Sequence, residues 1–103
     1  MTNEMDLLRE IINQNEIIIS LLGRMAFPKE TLIEIVSKKK RNPQKYINGY
    51  NACDGNHIVS EIAKIVGVKQ PTITPILKEW VKVGILFEIE KSGGRFYKKL
   101  YVI

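Results

Sequence analysis

The sequence predicts a mainly helical fold closed by one small β-hairpin. Three observations carry the prediction. Apolar residues recur at steps of three and four from Glu4 to Trp80, interrupted at Pro28, Pro43, Asp54-Gly55 and Gly67. Two short amphipathic segments flank Gly67, with a small residue and a tight connection between them, as in a helix-turn-helix. After Gly84 the period changes to two, and Ser92-Gly93-Gly94 breaks it where a hairpin would turn.

Residues Glu4 to Arg24 form the longest helical pattern. One seam takes Met5, Leu8, Ile12, Asn15, Ile19 and Leu22; a second takes Leu7, Ile11, Gln14, Ile18 and Leu21. Each has heptad spacing and one polar residue at the same level. Two adjacent apolar seams are more than one neighbour covers. The expectation is that one seam packs on the chain's own domain and the other on a second copy. Leu8, Ile12, Asn15, Ile19 and Leu22 are the candidate dimerisation residues of a homodimer. A core helix of a monomer is the alternative.

Pro28 marks the first turn of a second helix reaching about Lys40, with Leu32, Ile35 and Val36 inward. Lys38-Lys39-Lys40-Arg41 at its end suits the helix dipole, and would equally suit phosphate. Asn42-Pro43 is a cap and first-position pair for a third helix to about Cys53, with Tyr46, Ile47, Tyr50 and Cys53 inward. Gly49 inside it costs up to ~1 kcal/mol. Asp54-Gly55 ends it, and Asn56 to Ile58 is short and apolar enough at its end to pair with the hairpin. The chain divides into an N-terminal helical dimerisation region, 1–41, and a C-terminal domain, 42–103.

In the fourth helix Ser60 reads as the cap, Glu61 as the first helical residue, and Gly67 as the left-handed exit. Ala63 is small enough for a close crossing. The fifth helix has Ile73, Leu77 and Trp80 on one face and Gly84 at its end. Pro75 stands inside it, where a proline costs ~3 kcal/mol. Thr74-Pro75 is also a good cap and first-position pair. The expectation is a tight or distorted turn over Pro71 to Thr74, with regular helix from near Pro75. Ile85 to Lys91 and Arg95 to Val102 then alternate as strands, and Lys91 and Arg95 make the hairpin tip cationic.

Val59-Ser60-Glu61-Ile62-Ala63, Gly67-Val68, Gln70-Pro71-Thr72-Ile73-Thr74, Leu77, Trp80 and Gly84-Ile85-Leu86 resemble the winged helix-turn-helix transcriptional regulators of the MarR/ArsR-like kind, small archaeal ones included. The resemblance covers roughly residues 44 to 103. It implies a winged helix-turn-helix with extra N-terminal helices, a double-stranded DNA partner, a recognition helix in the major groove and a wing on the backbone or minor groove. Gln70, Thr72 and Thr74 are then the short polar residues facing base edges. Lys69, Lys78, Lys91 and Arg95, with Lys64, are the phosphate holders. Two positions depart from the family pattern. Lys69 stands where a capping Ser is common, and Pro75 where an Arg is common.

Charge placement agrees with a nucleic-acid partner. Residues 1–37 carry three basic and six acidic residues, a net of −3; residues 38–103 carry thirteen and five, a net of +8. No apolar run approaches the ~18 residues of a membrane span, and no basic region leads into an apolar core at the start, so a cytoplasmic location is expected. Cys53 is the only cysteine and His57 the only histidine. A zinc site needs more ligands, and a nucleophile–base pair needs an orienting group. No catalytic residue, metal or cofactor is expected, and the chain reads as a non-enzyme with a half-buried thiol and a surface imidazole. Two rival functions remain open. One is a winged-helix protein-binding module, favoured by the apolar Pro75-Ile76 pair. The other is a chromatin-type DNA binder with little sequence preference.

Overall fold

The computed structural model describes residues 3–103. It contains α1 (Glu4–Ala26), α2 (Lys29–Ser37), α3 (Pro43–Asn51), α4 (Val59–Val66), α5 (Gln70–Val83), β1 (Leu86–Lys91) and β2 (Gly94–Lys99). The fold is mainly helical with one two-stranded antiparallel sheet.

α1 starts at Asn3, whose Oδ1 accepts the Asp6 amide at 2.8 Å. Glu4 and Asp6 in its first turn and Arg24 in its last complement the dipole. At 1.5 Å per residue the helix is about 34 Å long. Much of that length leaves the rest of the chain. The radius of gyration is 14.7 Å, against about 13 Å for a compact chain of this size. Gly23 is the one buried residue of α1. The expectation that one seam packs on the chain's own domain is therefore corrected: both seams stand exposed.

α2 stops at Ser37, short of the expected Lys40. The Ser37 hydroxyl donates back to the Ile33 carbonyl at 2.6 Å, Lys38 turns extended, and Lys39 is left-handed at φ 58°. The lysine run offers nothing apolar to hold a further turn against the core. It becomes a loop. α2, assigned above to the N-terminal region, contributes Leu32 and Val36 to the main core.

Gly49 of α3 is a packing requirement and not merely a cost. A Cβ there would stand 2.4 Å from Val66 Cγ2 of α4, so the two helices approach through the glycine. After α3 the chain runs beside β2. Lys99 N donates to Cys53 O at 2.8 Å, Gly55 N donates to Tyr97 O at 2.9 Å, and Asp54 bridges Lys98. The extra pairing on the hairpin thus falls at residues 53–55, not at Asn56 to Ile58. Asp54 instead bends the next residues, its Oδ1 accepting the Asn56 amide at 2.8 Å and lying 2.9 Å from His57 Nδ1.

α4 begins one residue earlier than expected. Ser60 lies inside it, and the Glu61 carboxylate reaches back to accept the Ile58 amide at 3.0 Å. The acid at the third position ties down the amide that precedes the helix. Gly67 exits left-handed, with its own amide and that of Val68 both donating to Ala63 O.

α5 runs unbroken from Gln70 to Val83, with Pro75 inside it. This overturns the expected distorted first turn. The amide that Pro75 lacks would have served the carbonyl of Pro71, an exposed first-turn residue. That carbonyl is left to solvent, so the loss is tolerated without a break. Gly84 then turns left-handed, and Ile85 and Leu86 enter the core.

The hairpin turns on Ser92 and Gly93, both at positive φ, as a two-residue type I′ turn requires. Its register pairs Leu86 with Lys99 and Lys91 with Gly94. The second strand ends at Lys99, earlier than the expected Val102, because Leu100 and Tyr101 turn into the core. Tyr50 ties helices to hairpin there. Its hydroxyl donates to Ile85 O at 2.8 Å and accepts Leu100 N at 3.1 Å, while its ring meets Trp80 edge-on at 5.7 Å.

Candidate nucleic-acid interface

Burial of Ile73, Leu77 and Trp80 fixes which side of α5 faces out. On the helical period, the ridge opposite them carries Pro71, Pro75, Lys78 and Lys82, all exposed. Lys69 precedes the helix with no side-chain cap, and the first turn holds no acid. The positive end of the helix is therefore uncompensated by the chain itself. Gln70 and Thr72 are exposed there, with no side-chain hydrogen bond among the described residues. Thr74 differs: it is half-buried, and its hydroxyl donates to Gln70 O at 2.9 Å. Of the three candidate base readers, two point outward free, while Thr74 keeps only acceptor capacity.

Two cations were missing from the sequence reading. Lys82 follows Lys78 by one turn on the outward ridge, a signal present in the spacing. Lys45 of α3 is different in kind. Its Nζ reaches the corner between α4 and α5, 3.3 Å from where a Cβ on Gly67 would stand. No local pattern announces that, since it depends on how α3 crosses α4. Lys64, on the exposed side of α4, lies one turn before that corner.

The hairpin tip is not the free cationic point expected. Arg95 Nε lies 3.3 Å from Glu88 Oε1 and 4.0 Å from Glu90 Oε1. Lys91 Nζ donates to Asn56 Oδ1 at 2.9 Å and sits 5.0 Å from the Phe96 ring centroid. Glu90 and Arg95 are direct partners in the register. Each cation of the tip is thus already engaged within the chain, and exposed pairs of this kind exchange readily for a stronger anion.

Cys53 is fully buried, which corrects the half-buried thiol of the sequence reading. Burial pushes its pKa up to about 12, and its Sγ donates to Gly49 O at 3.4 Å. His57 pairs with Asp54 instead. The Asp54 hydrogen bond raises the His57 pKa. Partial burial pushes the Asp54 carboxyl up, but the bonds from His57 and the Asn56 amide outweigh it and hold the value below the ordinary one. Among the described residues no three His, Cys, Asp or Glu side chains gather as metal ligands would.

α1 meets the domain through a narrow, polar side. Glu16 pairs with Lys98, Gly23 lies on Leu100, and Arg24 sits 4.6 Å over the Tyr101 ring. The Tyr101 hydroxyl donates to Phe27 O just past the helix. Eleven large apolar side chains of α1, from Met5 to Met25, are 38–80% exposed.

These features define a helix-rich domain with a two-stranded hairpin, a polar helix end flanked by lysines, and a long helix with an open apolar side. No family model, curated protein or solved structure matches the chain. Among the described residues no helix is long and apolar enough to cross a membrane.

Proposed function

We propose that the chain is a sequence-specific DNA-binding transcriptional regulator acting as a homodimer, with α5 as recognition helix and the β1–β2 hairpin as wing. The observation that carries the reading is the leading end of α5. Gln70 and Thr72 project unpartnered from an acid-free helix start, with Lys69 beside them and Lys78 and Lys82 along the same outward side. Gln70 can bond adenine through both amide atoms, and Thr72 can bond a base edge or touch a thymine methyl. The lysines, with Lys45 and Lys64 at the neighbouring corner, hold phosphates and set the register. The +8 balance of residues 38–103 supplies the long-range attraction. α1, through Leu8, Ile12, Asn15, Ile19 and Leu22, brings two copies together so that two half-sites are read at once.

Selection from a random duplex library tests this. The parent should return a defined motif, and Gln70→Ala and Thr72→Ala should each relax it at one position, by roughly 1–3 kcal/mol for a well-formed contact. Binding without any preferred motif would favour the chromatin-type reading. One observation favours the protein-binding alternative: Pro71 and Pro75 occupy the middle of the outward ridge, where a DNA reader normally carries polar groups. No retained duplex at all would favour that reading.

A further inference from the structure

We propose that α1 joins four copies of the chain, each helix using both of its apolar seams against neighbouring α1 helices. The proposal rests on the reading of α1 as the self-association element and extends it beyond a pair. The domain itself occupies the polar side of α1, at Glu16, Gly23 and Arg24. Both seams are therefore open, and together they cover roughly half of the helix circumference. A helix with one neighbour needs an apolar stripe of only about 100°. A pair through the first seam would leave Leu7, Ile11, Ile18 and Leu21 in water, 49–58% exposed as they are in the single chain.

The occupant of that second seam is identified by its pattern. Both seams place Ile at the a positions (12 and 19; 11 and 18) and Leu at the d positions (8 and 22; 7 and 21), the residues of a two-stranded contact. Each interrupts the series once, with Asn15 and Gln14 at the same heptad level. When the second seam of one helix meets the first seam of a parallel copy, Ile faces Ile, Leu faces Leu, and Gln14 faces Asn15. An unrelated partner would have no reason to match that level. Residues one apart are separated by roughly 100° on a helix. Seams so related lie near the right-angled corner of a four-helix bundle, where this head-to-tail contact closes on itself.

Sedimentation equilibrium on the full chain, at tens of micromolar, is the test. The parent should sediment as four copies of the 11.8 kDa chain. Ile11→Asp with Ile18→Asp should lose that assembly while Trp80 fluorescence, which reports the domain core, stays unchanged. A parent of two copies would overturn the four-copy inference and leave the homodimer standing. A parent of one copy would remove both. Four copies persisting in the double variant would also overturn it, by placing the contact outside the second seam.

Discussion

Arg95 lies 3.3 Å from Glu88 across the hairpin, so the most prominent cation of the proposed wing is already balanced within the chain. The pair is exposed, and such pairs contribute about 0–1 kcal/mol at the surface. Arg95→Ala should therefore cost little stability and only a modest part of the DNA affinity. Removing the carboxylates, by Glu88→Gln with Glu90→Gln, should tighten binding to all duplexes alike. It should also steepen the salt dependence by up to about one unit for each additional phosphate that the freed cations neutralise. Fluorescence anisotropy at several salt concentrations measures both. An unchanged affinity in the Gln variant would take the hairpin out of the interface.

Pro75 sits at the middle of the outward ridge of an unbroken helix. Pro75→Arg should restore the amide that serves Pro71 and add a cation facing the groove. DNA affinity should rise, with no loss of helix content by circular dichroism. Weaker binding would mean that the ridge is shaped for a different partner.

Gly49→Ala sets two effects against each other. Helix propensity favours Ala by up to ~1 kcal/mol. The new Cβ, however, would stand 2.4 Å from Val66 Cγ2, and overpacking of this kind costs about 1–3 kcal/mol. The clash should win, lowering the urea midpoint followed by Trp80 fluorescence. A variant as stable as the parent would show that α3 and α4 can move apart at no cost.

The Asp54–His57 pair gives a pH signature. The raised His57 pKa stabilises the fold below its ordinary 6.5, and that contribution is lost as pH rises through the raised value. The lowered Asp54 pKa stabilises above its ordinary 3.8, and that contribution is lost as pH falls through the lowered value. The excess in Tm of the parent over His57→Ala should thus be greatest between pH 3.8 and 6.5. It should be small, since both side chains are more than a third exposed. A difference independent of pH would mean that the pair does not form.

What the sequence made legible is what spacing encodes. Ile73, Leu77 and Trp80 mark the buried face of α5, and the turn at Ser92-Gly93 marks the hairpin, because each is decided by neighbours in the chain. Three features were not legible, each for a physical reason. Cys53 to Gly55 pairs with β2 without strand alternation, so nothing in its composition distinguishes it from a loop. The side of α1 that meets the domain is set by Gly23 on Leu100, a contact between residues far apart in sequence, and the larger apolar seams masked it. The balanced hairpin tip was half legible: Glu88 and Glu90 are plain in the sequence, but only the strand register brings them to Arg95.

The proposal of DNA binding is tested most directly by titrating the parent protein against fluorescent duplex DNA from low to physiological salt. Saturable binding is expected, with an affinity that falls linearly with the logarithm of salt concentration. The slope should be several units, as release of counterions from several phosphates demands. Saturable binding with no salt dependence, or no binding at low salt and micromolar protein, would contradict it.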